Sequence, residues 1–584
     1  MRQTHQKGYT QSNNEEVTTL KNMKKAGSVS LALCLSLGLV LPGCAPDNGF
    51  QINESMTQIY ISIYTGGVGI EWLNNAIEGF EEKYANTSFE EGKMGVEVVP
   101  AATDKSSTAG NALLAGLSGN TNDVFFTEGI YYYDILAQNG AAEITDMVTS
   151  DLSEFGEEGT LEDKMDDALI DFYKTAEGKY YALPFYEGYY GINYNVDYFE
   201  TENLYFKEDY RSASDLEDMF VSSPTETRSS GPDGEPGTMD DGLPATYEDF
   251  YRLCERIVDI GGIPLIWSGM YPYVTSYVNY QMWADYEGRD QFYLNFSFDG
   301  VADDLVESIS DDGTVTLMPP TQIDNENGVL LQKQRGKYEV LKFMENLLHP
   351  RDETDQFYHE YSFSPSLSNT DAQATFLASI VDSSKIAMLL DGNWWEREAD
   401  SVGAFTGLIN YGYNKEDLRF GFMPFPKATD EQVGDPRTVV SINDSICFIN
   451  SRTTGVRLEL SKLFLQYCHT DRMLSEFTKI TSMTKPYFYE LGEEDEAELT
   501  FYGEQIYSLK DPDGNTDIVY PYSDNPLFLN NFASFHPYEW GFSIPEGRAT
   551  AQVMNDTGMT AREYFLKLYP AYEQKWQTYL STID

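Results

Sequence analysis

Cysteine and histidine are both scarce in this 584-residue chain, with 5 residues of each. A disulfide scaffold needs a much higher density of cysteine, so we expect buried free thiols at positions such as Cys254 and Cys447. The sequence also lacks the G-x-S-x-G, H-E-x-x-H, C-x-x-C and phosphate-loop patterns of common enzymes. We therefore expect a protein that is not an enzyme and requires no cofactor.

Basic residues are few as well: 39 Lys and Arg stand against 94 Asp and Glu, which gives a formal net charge of −55. A surface of this charge repels DNA and RNA, so a nucleic-acid partner is excluded. It also repels an anionic membrane surface, so any attachment to a membrane needs an anchor. The charge does not indicate a cationic ligand, because a solvated acidic surface explains it equally well.

Long hydrophobic runs are missing except at the start, where residues 26–41 are uncharged and mostly apolar. This run is shorter than the ~20 residues of a membrane-spanning helix, and a lysine cluster at 21–25 precedes it. The run ends in Leu-Pro-Gly-Cys, which resembles the bacterial lipoprotein signal with Cys44 as the acylated residue. The resemblance implies a signal peptide at 1–43 and a tether at 44–56; an ordinary signal peptide with an incidental cysteine is the alternative.

Strand and helix patterns alternate after the tether, which predicts a parallel sheet covered on both faces. The predicted elements are a strand at 57–65, a helix at 71–84, a strand at 94–99, a helix at 108–117, a strand at 123–126 and a helix at 131–137. Further along, we predict a capped helix from Thr246, a hairpin insertion within 300–335, a strand pair at 439–449 and a C-terminal helix kinked or split by Pro570. The length requires at least two lobes.

Four stretches resemble family 1 of the extracellular solute-binding proteins, the group of ABC-importer lipoproteins that includes maltose-binding protein. They are the opening strand with its glycine-rich turn and Trp72–Phe80 helix, Asp123–Phe126 with Ala137–Gly140, Lys179–Pro184 with Gly191–Asn195, and Ala387–Trp394. The resemblance implies an α/β, two-lobed, periplasmic-binding-protein-like fold with an interlobe hinge and cleft. Lobe one is then expected at 57–187 and 438–490, and lobe two, with insertions, at 188–437 and 491–584.

Ligands of open α/β sheets bind at the carboxyl ends of the strands, which face the cleft in a two-lobed binder. The glycines around Gly67 follow the first strand and either admit a ligand to the backbone or form only a tight turn. The residues predicted to contact ligand are Gly67, Glu128, Tyr131, Tyr186, Glu187, Trp267, Asp391, Trp394 and Trp540. For Trp540, which lies in a late aromatic cluster, packing in the core is an equal alternative.

Trp394 is the residue on which the carbohydrate hypothesis depends. A sugar ring has one face rich in C–H groups and hydroxyls around its rim, which suit a tryptophan face and nearby carboxylates or amides. Trp394 follows a predicted strand beside Asp391 and Asn393, as such a site requires. In the family's sugar binders a tryptophan at this place stacks on the ligand, and the alternative here is a plain core tryptophan.

A glycine-rich acidic loop at 231–242 suggests a second site. Calcium takes six to eight oxygen ligands, and this loop alternates carboxylates with glycines. The candidate ligands are Asp233, Glu235, Thr238, Asp240, Asp241 and Glu248. A solvated acidic loop is the alternative.

Together these features predict an extracellular, lipid-anchored binding component of an ABC importer. We expect it to capture a carbohydrate, specifically an oligosaccharide, by hinge closure. The expected partners are the carbohydrate and the transmembrane permease subunits, with the protein a monomer held by its anchor at the outer face of the bacterial cytoplasmic membrane. Two alternatives remain open: the same fold binding a peptide or another polar solute, and a secreted glycoside-cleaving enzyme.

Overall fold

The computed structural model describes residues 52–101, 109–350, 355–442, 445–512 and 514–583. The predicted signal peptide, the predicted lipidation site at Cys44 and most of the predicted tether lie outside these residues. Among the described residues, no helix combines the length and the apolar character needed to cross a bilayer. Cys254, Cys447 and Cys468 are buried free thiols, as predicted for Cys254 and Cys447.

The strands, in chain order, are β1 (Thr57–Ile63), β2 (Val96–Pro100), β3 (Val124–Thr127), β4 (Leu183–Pro184), β5 (Tyr190–Asn195), β6 (Ile263–Ile266), β7 (Gly300–Ala302), β8 (Val306–Ile309), β9 (Val315–Leu317), β10 (Thr321–Ile323), β11 (Ile386–Gly392), β12 (Phe420–Met423), β13 (Arg437–Val440), β14 (Ile446–Ile449) and β15 (Thr516–Val519).

The α-helices are α1 (Glu71–Tyr84), α2 (Gly110–Gly116), α3 (Tyr132–Ala137), α4 (Thr145–Thr149), α5 (Asp167–Tyr173), α6 (Val196–Thr201), α7 (Tyr247–Asp259), α8 (Tyr273–Ser297), α9 (Arg335–Leu348), α10 (Asn369–Ala378), α11 (Trp395–Ser401), α12 (Thr406–Ile409), α13 (Val456–Tyr467), α14 (Asp471–Thr481), α15 (Glu493–Glu496), α16 (Phe501–Ser508), α17 (Pro526–Asn530), α18 (Phe532–Phe535), α19 (Pro537–Trp540), α20 (Thr550–Thr557) and α21 (Ala561–Leu580).

Lobe one is built on a five-stranded sheet in the order β2-β1-β3-β14-β4. The strands β1, β2 and β3 are parallel, as their alternation with helices predicts, whereas β14 runs antiparallel to β3 and β4. Helix α1 packs against this sheet because Trp72, Ala76, Phe80 and Tyr84 recur at helical spacing and are all buried.

Lobe two is built on a four-stranded sheet in the order β12-β5-β11-β6. Strand β11 is buried at every residue, as expected for a strand covered on both faces. Helix α7 begins with the predicted capping box, in which the Thr246 hydroxyl and the Asp249 side chain bond each other's backbone N–H groups. The predicted hairpin insertion consists of two antiparallel strand pairs. Strands β8 and β9 form the inner pair, and β7 and β10 form the outer pair.

One prediction about elements is wrong, and of the two outcomes predicted at Pro570, a kink or a split, the split does not occur. Strands β13 and β14 do not pair with each other: β13 pairs in parallel with β15, and β14 joins the sheet of lobe one. The chain crosses between the lobes in this region, so adjacency in sequence does not bring the two strands together. Helix α21 continues through Pro570 instead of splitting there, with Leu568, Tyr572 and Trp576 buried along it.

The chain segments that pass from one lobe to the other are linked by Glu187. This residue follows β4 and is fully buried. Its carboxylate accepts hydrogen bonds from the Thr484 and Tyr520 hydroxyls at 2.5 Å each, and it pairs with the Lys510 ammonium at 3.2 Å. Thr484 follows α14 and Lys510 follows α16, so both belong to a later segment that passes between the lobes. A buried carboxylate with this many partners fixes the geometry of the hinge.

Candidate functional site: the interlobe cleft

A cleft of about 230 Å³ lies between the lobes, where the carboxyl ends of β1 and β3 in lobe one face that of β11 in lobe two. Its lining combines aromatic rings, carboxylates and glycine backbone. The lining residues are Tyr64, Gly66, Gly67, Glu128, Gly129, Tyr186, Tyr190, Tyr273, Tyr277, Asn369, Trp394, Glu398, Ile442 and His536.

Aromatic rings form one wall of the cleft. Trp394 meets Tyr190 edge to face, with ring centroids 4.9 Å apart and planes at 89°. Tyr190 in turn stacks on Tyr277 at 4.5 Å and 14°, and Tyr277 contacts Tyr273 at 5.8 Å. Because these rings pack against one another, their orientation is set before any ligand arrives. Such a wall offers flat apolar faces with polar edges.

A carboxylate projects into the cleft from each lobe. Glu128, directly after β3, accepts a hydrogen bond from the Tyr186 hydroxyl. Burial, and then the charge of Glu128, raise the pKa of the neighbouring Tyr64 hydroxyl well above its ordinary value, so this tyrosine stays a hydrogen-bond donor. From lobe two, Glu398 accepts from the Asn369 amide at 2.9 Å and from the Gln373 amide at 2.8 Å.

Asp391 lies behind this lining and does not reach the cleft surface. Its Oδ2 accepts from the same Gln373 amide nitrogen at 2.9 Å, and its Oδ1 accepts from the Gly392 backbone N–H at 2.8 Å. Burial, together with the charge of Glu398, raises its pKa from the ordinary 3.8 to about 7. The structure therefore places Asp391 in a supporting position beneath Glu398.

Gly67 brings the two lobes into contact at the edge of the cleft. Its φ is +72°, in the region that favours glycine, and a Cβ at this position would lie 3.1 Å from the Cβ of Trp394. The turn after β1 is therefore tight and allows another side chain to approach closely, whereas access of a ligand to its backbone stays a prediction. The partner in that approach is the indole that we expected in the site.

Comparison with known proteins finds one family model. Residues 73–319, less than half of the chain, match the model of a family described as bacterial extracellular solute-binding protein. Over this region the chain is similar to that family, in agreement with the predicted resemblance and with the coarse prediction of an extracellular solute-binding protein. No curated protein sequence matches the chain.

Several solved structures are similar to the chain. SBP RafE in complex with raffinose is 13% identical with a TM-score of 0.50, and the alignment covers 89% of this chain and 99% of RafE. The apo form of RafE from Streptococcus pneumoniae is 13% identical with a TM-score of 0.48, covering 90% of this chain and 99% of that one. The bacterial solute receptor AcbH is 13% identical with a TM-score of 0.46, covering 90% and 98%. The first of these supports the predicted fold.

Four of the residues predicted to contact ligand line the cleft: Gly67, Glu128, Tyr186 and Trp394. Tyr131 lies next to it, with its ring 5.1 Å from that of Phe532 and 5.9 Å from that of the lining residue His536. Direct contact with a ligand stays a prediction for each of these residues.

The structure places three other predicted residues away from the cleft. Trp267 follows β6 but is 1% exposed, because the rings of Tyr358 and Phe363 cover it at 5.3 and 5.4 Å. Trp540 is fully buried and donates its indole N–H to Asn295 at 2.8 Å, so it packs in the interior. Glu187 belongs to the hinge network described above.

The predicted calcium ligands do not converge. Glu248 pairs with Arg252 at 2.9 Å on helix α7, and the Asp240 carboxylate accepts from the Thr238 hydroxyl at 2.5 Å. The Asp233 and Asp241 carboxylates accept from backbone N–H groups of the same loop, at Glu235 and Gly237, both at 2.8 Å. In the part of the chain that the structure describes, no group of three or more acidic, histidine or cysteine side chains could hold a metal ion. Calcium binding therefore stays a prediction with no support from these side chains.

Several lining residues escaped prediction from the sequence, chiefly Tyr64, Tyr190, Tyr273, Tyr277, Asn369 and Glu398, whereas His536 belongs to the late aromatic cluster that was considered for the cleft. For two of them a signal was available. Tyr64 directly follows β1, and Glu398 lies four residues after Trp394, hence on the same face of a helix. No local signal marks Tyr273 and Tyr277. They reach the cleft only because α8 packs against strands β5 and β11 of the lobe-two sheet.

Proposed function

We propose that this protein is the solute-binding component of an ABC importer, and that it captures a carbohydrate between its lobes. The proposal is carried by one observation: Trp394, oriented by Tyr190, faces the glycine turn of lobe one in a cleft that holds a carboxylate from each lobe. An aromatic face beside hydrogen-bond acceptors matches the two kinds of surface on a sugar ring. The ligand of RafE, raffinose, is an example of the class that we propose.

The finer points of the proposal rest on the sequence. The Leu-Pro-Gly-Cys ending at Cys44 supports a lipid anchor, and therefore a position at the outer face of the cytoplasmic membrane beside the permease subunits. The aromatic residues that line the cleft from Trp394 through Tyr190 to Tyr277 and Tyr273 extend over more than one ring, which supports a ligand of more than one sugar. An oligosaccharide is therefore the ligand we propose.

A thermal-shift screen of the full chain against neutral oligosaccharides, raffinose among them, and short peptides tests the proposal. A ligand that binds only the folded state raises the melting temperature by mass action. We expect a shift with at least one oligosaccharide and none with peptides. Shifts with peptides alone would overturn the carbohydrate assignment.

The central residue is tested by Trp394→Ala. Truncating an aromatic residue at the centre of a binding site commonly costs ~2 kcal/mol or more, so we expect affinity to fall at least about tenfold by calorimetry. Tyr411→Ala is the matched control, because Tyr411 is an aromatic residue of the same lobe that is 67% exposed and away from the cleft. Equal affinity of both variants and the wild type would remove Trp394 from the site.

A further inference from the structure

Two side chains on one face of α11 contact the glycine turn of lobe one. Trp394 is the N-cap of α11, and Arg397 follows three residues later, so both project from the same side of the helix. A Cβ at Gly67 would lie 3.1 Å from Trp394, and a Cβ at Gly69 would lie 3.0 Å from the Arg397 guanidinium. The glycine turn is thus in contact with Trp394 and, beside it, with the Arg397 guanidinium.

Arg397 also forms an ion pair across the lobes. Its Nη2 lies 3.0 Å from a carboxylate oxygen of Glu71, the first residue of α1 in lobe one. Its Nη1 lies 3.3 Å from Asp400, which Lys415 approaches at 3.1 Å, so the guanidinium is held from its own lobe as well. The Arg397 side chain is 17% exposed and that of Glu71 is 60% exposed. Neither residue lines the cleft.

We propose that Glu71 and Arg397 are positioning residues for ligand binding: their ion pair joins the lobes at the mouth of the cleft and holds Trp394 against the glycine turn. The proposal rests on the proposed function, because it assumes that ligand is held between closed lobes. The pair forms only when the lobes approach, so it acts on the lifetime of the closed complex. Its loss is therefore expected in the dissociation rate more than in the association rate.

The size of the effect follows from the exposure of the pair. Partly exposed ion pairs contribute up to ~1 kcal/mol, which corresponds to about a fivefold change in a rate or an equilibrium. We expect Glu71→Gln to raise the dissociation rate about two- to fivefold at low salt. At high salt the wild type should approach the variant, since screening removes the same interaction.

A matched control is available within lobe one. Lys462 on α13 pairs with Asp146 on α4 at 2.7 Å, with side chains 13% and 67% exposed, close to the values for Arg397 and Glu71. Asp146→Asn removes a pair of the same kind without touching the lobe interface. With raffinose as the probe in stopped-flow binding, the dissociation rate should rise in Glu71→Gln and not in Asp146→Asn. Equal rates in the two variants would overturn the proposal.

A second measurement needs no ligand. Spin labels on a ketone-bearing amino acid at the exposed positions Asn74 in lobe one and Asn410 in lobe two report the distance between the lobes. We expect Glu71→Gln to shift the distance distribution of the full chain to longer values, and Asp146→Asn to leave it unchanged. An unchanged distribution in Glu71→Gln overturns the ion pair's role whether or not raffinose binds. A longer distance without raffinose binding counts against the proposed ligand and leaves the ion pair supported.

Discussion

Asp391 and Glu398 share a single hydrogen-bond donor, the side-chain amide nitrogen of Gln373, which lies 2.9 and 2.8 Å from their oxygens. Two carboxylates this close cannot both be charged without cost, and the one that is buried holds its proton to a higher pH. That residue is Asp391, with a pKa of about 7. The buried Asp391 thus carries the proton beneath the lining carboxylate of Glu398.

The raised pKa of Asp391 predicts a dependence of stability on pH. Between pH 4 and 7 the folded protein holds a proton that the unfolded chain has released, so the free energy of unfolding should fall as pH rises, by up to ~1.4 kcal/mol per pH unit from this group. Below about pH 4 both states are protonated, and above about pH 7 both are ionised, so the contribution is then constant. Asp391→Asn should flatten the slope in this window, as measured by urea unfolding from pH 4 to 8. A slope unchanged by the substitution would show that Asp391 titrates normally.

At the residue scale, the sequence could indicate which tryptophan follows a strand but not which neighbours cover it. Trp267 and Trp394 both lie within two residues of the end of a strand of lobe two. Trp267 is covered by residues about 90 positions later in the chain, at Tyr358 and Phe363, whereas Trp394 faces the opposite lobe. Contacts between residues this far apart have no signal in local periodicity, so only the structure distinguishes the two.

At the element scale, the glycine turn between β1 and α1 determines how closely the lobes approach. Helix α1 was predictable to the residue, because its apolar spacing and the glycines before it are local features. The partners of β13 were not predictable, because it pairs with β15, whose strand begins at Thr516. Elements that join the lobes depend on such distant pairings, and for that reason the partners of Glu187 in the hinge, such as Thr484 and Lys510, escaped prediction.

Gly67→Ala tests the turn. The added methyl group strains a φ of +72° and meets Trp394 at 3.1 Å, so we expect weaker ligand binding together with a loss of stability of ~1 kcal/mol. The control is Gly92→Ala in lobe one, where φ is +83° but nothing lies within 4 Å. Both variants should lose similar stability in thermal melts, and only Gly67→Ala should lose affinity in calorimetry. Equal affinities would mean that contact between the turn and Trp394 does not limit closure.

At the scale of the whole molecule, the charge of −55 is the dominant feature. Acidic side chains outnumber basic ones by more than two to one, so most carboxylates have no cation to pair with. Their mutual repulsion opposes the compact state, while it keeps the protein soluble and favours the monomer that we expect. The buried pair of Lys427 with Asp285, at 3.1 Å, is shielded from solvent and should respond little to salt.

This balance predicts that added salt stabilises the folded protein. Raising NaCl from about 20 to 500 mM shortens the Debye length from more than ~20 Å to about 4 Å, which screens long-range repulsion more than it weakens contacts at 3 Å. We therefore expect the melting temperature of the full chain to rise with NaCl. The control is an uncharged osmolyte at the same osmolality, which is excluded from the protein surface but does not screen charges. It should raise the melting temperature less than NaCl does. A melting temperature that falls with NaCl would show that the attractive pairs, such as Arg397 with Glu71, outweigh the repulsion of the acidic surface.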